Sequence, residues 1–158
     1  ERPKSDGVSY DISLVVKHCI SLPEGKYANQ NVENLFQNNL NCNLHESFES
    51  LNGVKVSAHF YIKRSGEIVQ FVSVNDRAWH AGVSSFKGRE NCNDFSVGIE
   101  MQGTDKTSYT NEQYKSLNML LGDLKENFLT IKDITGHEDI APGRKTDPGI
   151  GFDWDKIK

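Results

Sequence analysis

Two histidines and an aspartate near opposite ends of the chain could together hold a metal ion. His137 and Asp147 lie in the segment 135–149, which prolines and glycines break into a shaped loop. His18 follows an apolar run near the N-terminus. Three protein ligands that leave a fourth position to water are typical of a catalytic zinc site. The ten-residue step from His137 to Asp147 is not a tight chelate spacing, so two ordinary, partly buried histidines and a turn-capping aspartate remain an open alternative.

Two further charged residues could act beside such an ion. Lys145 lies in the same loop, and Glu100 lies on a predicted strand face whose other members, Ser96 and Gly98, are small. That face leaves room for a ligand beside the carboxylate, and Gly98 would let the ligand approach the backbone. A glutamate near a water activated by a metal is a natural general base. The pattern alone fits an exposed strand glutamate equally well.

Predicted strands would position these side chains. The apolar run Ile12–Val16 predicts a buried strand with His18 at its C-terminal end, and open α/β sheets build their sites at such strand ends. Alternation over 56–63 and 67–72 predicts a hairpin. Alternation over 95–101 predicts another strand, with its apolar side chains on one face.

Helical periodicity separates these strands. The segment 110–128 predicts the longest helix, because Thr110 and Gln113 form a capping box and apolar residues recur along one face. Shorter helices are predicted over 32–38 and 44–51, and a short strand over 131–134. Together these elements predict an α/β fold with a mixed central β-sheet flanked by helices.

The composition fits a single domain over residues 1–158. The chain has 36% hydrophobic and 25% charged residues, and its net charge of −4 argues against nucleic acid as a partner. Its apolar runs are too short to span a bilayer, so no membrane partner is expected. Three separated cysteines predict free thiols in a reducing compartment. Since no signal peptide opens the chain, a cytoplasmic location is expected, or a periplasmic one if a leader has been removed.

Other side chains could line a binding cleft near the candidate metal ligands. Trp79 and His80 lie in a glycine-containing loop and could wall a cleft for a sugar or peptide, or serve only in packing. Cys19, beside His18, could be a ligand, a nucleophile or a small buried hydrophobe. His59 could support the site from behind or be an ordinary core histidine.

The chain resembles a known family in five sequence blocks, which span 18–23, 56–59, 77–84, 92–100 and 135–149. They occur in the order found in the AmpD family of 1,6-anhydro-N-acetylmuramyl-L-alanine amidases. The run Gly-His-Glu-Asp-Ile-Ala-Pro-Gly-Arg-Lys-Thr-Asp-Pro-Gly is highly specific. This family belongs to the wider family 2 N-acetylmuramoyl-L-alanine amidases, which include peptidoglycan recognition proteins and share a mixed sheet flanked by helices.

The resemblance implies a zinc hydrolase. It implies that His18, His137 and Asp147 bind Zn²⁺, that Glu100 is the catalytic glutamate and that Lys145 stabilises the transition state. The expected reaction is hydrolysis of the amide between the lactyl group of 1,6-anhydro-N-acetylmuramic acid and L-alanine, in peptidoglycan recycling. The expected partner is therefore a muropeptide substrate.

The resemblance also implies substrate contacts, and some of these positions depart from the family pattern. The implied contacts are Cys19, Lys55, Trp79, His80, Asn91 and Ala141. Relatives often have asparagine at position 19 and arginine at positions 55 and 91, and a bidentate arginine is not equivalent to lysine or asparagine. These departures concern substrate affinity rather than hydrolysis. The alternative function is a non-catalytic peptidoglycan-binding module, which would have no need of all five metal-binding and catalytic residues.

Overall fold

A mixed β-sheet forms the centre of the computed structural model, which describes residues 1–4 and 10–158. The strands are β1 (Leu14–Ile20), β2 (Phe60–Ile62), β3 (Ile68–Gln70), β4 (Ser85–Phe86), β5 (Arg89–Glu90), β6 (Ser96–Gln102) and β7 (Asp133–Gly136). The helices are α1 (Asn31–Phe36), α2 (Asn111–Asn127) and α3 (His137–Ile140). Within these described residues, the main sheet has the order β3-β2-β6-β1-β7, and β4 pairs separately with β5.

Both faces of the main sheet are buried, which confirms the α/β prediction. Strands β2, β6, β1 and β7 run parallel, and only the pairing of β2 with β3 is antiparallel. Helix α2 covers one face, where Leu117 and Leu121 pack against Val97 and Ile99. Helix α1 covers part of the other face. Parallel strands are usually covered on both faces, and their sequences are then more continuously apolar than those of half-exposed strands.

Helix α2 begins and buries its side chains as predicted. The Thr110 hydroxyl accepts a hydrogen bond from the Gln113 backbone N–H, and the Gln113 side chain accepts one from the Thr110 N–H. This capping box satisfies backbone donors that the first turn leaves unpaired. The predicted inward stripe is also confirmed, since Tyr114, Leu117 and Leu124 lie in the main core cluster.

The first strand is longer than predicted. Lys17 and His18 interrupt the apolar run, yet β1 continues to Ile20 because it pairs with β6 through to Gln102. Lys17 is fully buried, and its Nζ lies 3.9 Å from the centre of the Trp154 ring. Burial lowers the pKa of Lys17 to about 7. A cation–π contact takes the place of solvent for this ammonium group, so the polar residue does not end the strand.

Other predicted boundaries also differ. The hairpin strands β2 and β3 are three residues each, shorter than the alternating pattern. Single backbone hydrogen bonds, from Lys63 to Glu67 and from Phe71 to His59, continue the pairing beyond the regular strands. The predicted second short helix is a 3₁₀ helix over Glu46–Leu51, with His45 as its N-cap. The last strand begins at Asp133 rather than at residue 131 and runs to Gly136, because its partner β1 begins opposite at Leu14.

Cys19, Cys42 and Cys92 are all free thiols. Among residues 1–4 and 10–158, no helix is both long enough and apolar enough to cross a membrane.

His59 is a hydrogen-bonded core histidine. Its Nδ1 accepts a hydrogen bond from the Gly98 N–H at 3.0 Å, and its Nε2 lies 2.8 Å from the Asp76 carbonyl oxygen. Because Nδ1 accepts and a carbonyl can only accept, Nε2 carries the proton, and the Arg2 Nη2 that lies 3.0 Å from Nε2 acts through its charge. Burial, and to a smaller extent the charge of the Arg2 guanidinium, lower the pKa of His59 to about 4, although the hydrogen bond to the Asp76 carbonyl opposes this shift. His59 is therefore neutral at pH 7.

Replacing His59 with asparagine should make the unfolding free energy less dependent on pH. Between pH 6.5 and 4 the unfolded wild-type chain takes up a proton that the folded chain does not, so stability is lost as pH falls. The wild type should lose roughly 3 kcal/mol more than H59N over this window. Urea unfolding of the metal-free proteins at several pH values measures this difference. The exposed-histidine variant H45N should follow the wild type, and parallel curves for wild type and H59N would contradict the assignment.

Candidate active site

Parallel strands bring the predicted site residues to one end of the sheet. His18 on β1 lies directly opposite Glu100 on β6 in the strand register. His137 follows the last residue of β7 and begins α3. The carboxyl ends of neighbouring parallel strands lie at the same edge of a sheet. His18 lies two residues before the carboxyl end of β1, close to the strand end where the sequence placed it.

His18, His137 and Asp147 converge on one point. His18 Nδ1 lies 2.9 Å from His137 Nδ1 and 3.1 Å from Asp147 Oδ2, and His137 Nδ1 lies 3.2 Å from the same oxygen. These three residues form a group that could bind a metal ion. Burial lowers the pKa of His18 below its ordinary value of 6.5, so its imidazole is neutral. Burial disfavours charge on Asp147 too, but contacts with the two imidazoles hold the pKa of Asp147 well below its usual range.

Glu100 is buried beside this group and is not the exposed strand glutamate that the sequence pattern also allowed. Its Oε1 lies 4.0 Å from His18 Nδ1, and its Oε2 has no hydrogen-bond partner in the described part of the chain. Burial, and then the charge of Asp147, raise the pKa of Glu100 well above its ordinary value of 4.5, while Lys145 lowers it. A carboxyl group in this environment can exchange a proton closer to neutral pH.

A cavity of about 530 Å³ opens over these groups. His18, Glu100, His137 and Asp147 lie in its wall, together with the exposed Lys145. The loop that carries Asp147 and Lys145 is tied to α3, because the Glu138 N–H donates to the Asp147 carbonyl and the Lys145 N–H donates to the Ala141 carbonyl. The loop therefore presents a cation and a carboxylate to the same cavity.

The predicted substrate contacts divide into two groups. Cys19 and His80 line the cavity. Lys55 borders a separate depression, and Asn91 is exposed after β5 with a left-handed backbone. Trp79 is 55% exposed and stacks against Arg77, and Ala141 is buried at the edge of another depression. The substrate role of all six residues stays a prediction.

Some contacts around the ligand group could not be predicted from the sequence. His80 Nδ1 lies 2.9 Å from His18 Nε2, and His80 Nε2 lies 3.2 Å from Ser96 Oγ. Gly98 was predicted to let a ligand approach the backbone, but that space is already occupied. A Cβ at this position would lie 2.5 Å from the His80 ring. Gly98 instead accommodates His80. The small residues at 96 and 98 were a signal of close approach, but they did not identify the approaching group.

Arg144 is another residue that the sequence reasoning missed. Its guanidinium donates hydrogen bonds to the carbonyls of Ala81 and Val83, both at 2.8 Å. This joins the loop after α3 to the loop before β4. The only sequence signal was its position between Gly143, which helps to shape the loop, and Lys145, which was selected for its charge.

Comparisons with known proteins agree with this fold and indicate a family. The family model described as N-acetylmuramoyl-L-alanine amidase matches residues 9–150. The 1,6-anhydro-N-acetylmuramyl-L-alanine amidase AmpD of Citrobacter freundii is 48% identical over 147 residues, which cover 92% of this chain and 79% of that protein. A crystal structure of a selenomethionine AmpD derivative has a TM-score of 0.91 and 48% identity, covering 93% of this chain and 83% of the other.

A more distant structure contains a bound substrate. The N-acetylmuramyl-L-alanine amidase AmiD from Escherichia coli, in complex with the substrate anhydro-N-acetylmuramic acid-L-Ala-D-γ-Glu-L-Lys, has a TM-score of 0.72 and 26% identity. The match covers 99% of this chain and 59% of AmiD.

Fold and site together define an α/β protein with a two-histidine, one-carboxylate group that could bind a metal beside a buried glutamate. The family match covers most of the chain, and the identity to AmpD is high. The chain belongs to the N-acetylmuramoyl-L-alanine amidase family.

Proposed function

We propose that this chain is a zinc amidase that hydrolyses the amide between the lactyl group of 1,6-anhydro-N-acetylmuramic acid and L-alanine in muropeptides, in peptidoglycan recycling. The observation that carries the proposal is the convergence of His18, His137 and Asp147 beside buried Glu100 in one cavity. Two relatives support the choice of substrate. The C. freundii relative is a 1,6-anhydro-N-acetylmuramyl-L-alanine amidase, and AmiD binds a muropeptide substrate.

The proposed ligands fit a zinc ion. Tetrahedral ligand atoms about 2 Å from zinc lie about 3.3 Å from one another, and the three atoms here are separated by 2.9–3.2 Å. His137 Nε2 lies 2.9 Å from the Ala81 carbonyl oxygen, so it carries the proton and leaves the lone pair of a neutral imidazole on Nδ1. That lone pair faces an ionised carboxylate. A cation between them would offset the repulsion.

Zinc supplies a Lewis acid when bound, which lowers the pKa of a coordinated water to about 7. Glu100 is the proposed general base. Its Oε2, which has no hydrogen-bond partner among the described residues, can accept the proton of the attacking water, and its raised pKa suits that exchange near neutral pH. The protonated Glu100 can then donate the same proton to the departing amine of L-alanine.

Lys145 is the proposed electrostatic stabiliser of the transition state. Negative charge develops on the amide carbonyl oxygen during attack, and the Lys145 ammonium lies in the wall of the same cavity. Its charge is close enough to lower the pKa of both Glu100 and His18.

Replacing Lys145 with methionine should lower kcat by about 10²–10³-fold, because one positioned donor to the oxyanion is removed. Zinc content should remain at the wild-type level, since Lys145 is not a proposed ligand. Steady-state kinetics and metal analysis on the same preparation measure both effects. K106M, which removes an exposed lysine from a neighbouring loop, is the matched control. A wild-type kcat for K145M would refute the role.

The proposed substrate contacts are Cys19, Lys55, Trp79, His80, Asn91 and Ala141. Cys19 and His80 border the cavity. We also propose that residues 1–158 form a single zinc amidase domain, which the family match over 9–150 supports. A cytoplasmic location is supported by the three free cysteines.

A product assay tests the function directly. The zinc-loaded chain should release a peptide with a new L-alanine amino terminus from 1,6-anhydro-muramyl peptide, which mass spectrometry identifies. A parallel reaction with the reducing-end muropeptide measures the preference for the anhydro sugar. Binding of the muropeptide without product, at full zinc occupancy, would replace the amidase proposal with the non-catalytic binding module.

A further inference from the structure

We infer that His80 is a positioning residue, which fixes the tautomer and ring orientation of His18 through a hydrogen-bond relay that ends on the Cys92 carbonyl. This inference deepens the proposed function and rests on His18 being a metal ligand. The relay runs from His18 Nε2 to His80 Nδ1 at 2.9 Å, from His80 Nε2 to Ser96 Oγ at 3.2 Å, and from Ser96 Oγ to the Cys92 carbonyl oxygen at 2.5 Å.

The last acceptor sets the direction of every bond in the relay. A carbonyl oxygen can only accept, so the Ser96 hydroxyl donates its proton to Cys92. Ser96 Oγ must then accept from His80 Nε2–H, which leaves a lone pair on Nδ1 of neutral His80. That Nδ1 in turn accepts from His18 Nε2–H.

The consequence is a neutral His18 with its lone pair on Nδ1. This is the atom that faces His137 Nδ1 and Asp147 Oδ2. A ligating histidine generally donates its other ring N–H to a protein acceptor, which fixes the ring and raises its basicity. For His18 that acceptor is another histidine, and for His137 it is the Ala81 carbonyl.

Two members of the relay are closed to solvent. His18 is 1% exposed and Ser96 is fully buried. If a phenylalanine ring filled the place of His80, the His18 Nε2–H would lose its acceptor and remain unsatisfied.

The protein holds His80 in this position from two sides. The His80 ring lies over Gly98, where no larger residue fits. The Asn93 side-chain oxygen accepts hydrogen bonds from the backbone N–H groups of His80 and Ala81, at 3.1 and 2.8 Å. Residues 80 and 81 provide the acceptors for His18 and His137 respectively. One loop, fixed by one asparagine, therefore orients both imidazoles.

The first test is the tautomeric state of the histidines. The chain has five histidines, so long-range ¹H–¹⁵N correlation spectra of the uniformly ¹⁵N-labelled protein, with and without zinc, can be assigned with single His→Gln variants. His80 should carry the proton on Nε2 in both states, and His18 and His137 should carry it on Nε2 in the zinc-loaded protein. A proton on Nδ1 of His80 would reverse the relay and overturn the inference.

The second test is zinc affinity, measured by competition with a chromophoric chelator. H80F removes the acceptor and should weaken zinc binding by about 10- to 100-fold. H80N restores a carbonyl acceptor near the place of Nδ1 and should recover most of that loss. Equal losses in both variants would mean that His80 only fills space, and wild-type affinity in H80F would also overturn the inference.

Ser96 allows a test with a smaller substitution and a matched control. S96A removes the group that fixes His80, so His80 and His18 should populate both tautomers and zinc affinity should fall. Ser84 is also buried and contacts the same residue, since its Oγ accepts from the Cys92 N–H, but it is outside the relay. S84A should keep the wild-type tautomers and affinity. If H80F does not fold, S96A decides the outcome, and unchanged tautomers in S96A would overturn the inference.

Failure of the proposed function gives a different result. If H18A bound zinc as tightly as the wild type, His18 would not be a ligand and the proposed site itself would be wrong. If H18A lost zinc while H80F and S96A kept the wild-type affinity and tautomers, only the role of His80 would be wrong.

Discussion

Replacing Glu100 with glutamine should lower kcat for 1,6-anhydro-muramyl peptide by about 10²–10⁴-fold, which is the usual contribution of a general acid–base group. Glutamine keeps the size of the side chain but cannot take up the proton of the attacking water. Glu100 lies beside the proposed ligands, with Oε1 4.0 Å from His18 Nδ1, but is not one of them. Zinc content and the unfolding free energy should therefore stay close to the wild-type values.

The measurement combines kinetics with metal analysis on one preparation of E100Q. E90Q, which changes an exposed glutamate on β5, is the matched control and should have the wild-type kcat. A loss of activity in E100Q that is accompanied by loss of zinc would make Glu100 a ligand rather than a base. Unchanged turnover with full zinc would remove it from the mechanism.

Replacing His137 with alanine should abolish activity and weaken zinc binding by at least about 100-fold. The estimate follows from sharing the roughly 10–16 kcal/mol of a four-ligand zinc site among its ligands. His137 is 4% exposed, and its Nδ1 lies within 3.2 Å of both other ligand atoms. Water can enter the vacated space only as a weaker ligand.

Thermal unfolding with and without zinc measures the same loss independently of activity. Zinc at 1,000 times its dissociation constant should stabilise the wild type by about 4 kcal/mol, and H137A should show a much smaller increase. H45A removes an exposed histidine that caps a 3₁₀ helix and should retain the full zinc response. An equal response in H137A would contradict the proposed ligand set.

The architecture was predicted from hydrophobic periodicity and from local features such as helix caps. The capping box of α2 and its apolar stripe were correct, because both depend on residues within one or two turns. The extents of β1 and of the β2–β3 hairpin were not. A strand continues as long as its neighbour offers pairing, and the neighbour of β1 is a segment about 80 residues further along the chain.

The residue types at the site were also readable from the sequence. His18, Glu100, His137, Lys145 and Asp147 were selected from their types, from nearby strand patterns and from the family resemblance. The structure brings all five to one cavity. Of the predicted substrate contacts, Cys19 and His80 line that cavity, whereas Lys55 and Asn91 lie away from it.

The amino-acid sequence by itself determined which groups could perform metal-assisted hydrolysis and which segments would form the sheet. Only the tertiary structure decided which nitrogen of each imidazole faces the ligand point, because that depends on acceptors at Ala81 and His80. It likewise decided that Gly98 accommodates a histidine ring rather than a ligand. The physical reason is that side-chain type and spacing encode local geometry, while hydrogen-bond direction is set by partners that folding brings together from distant parts of the chain.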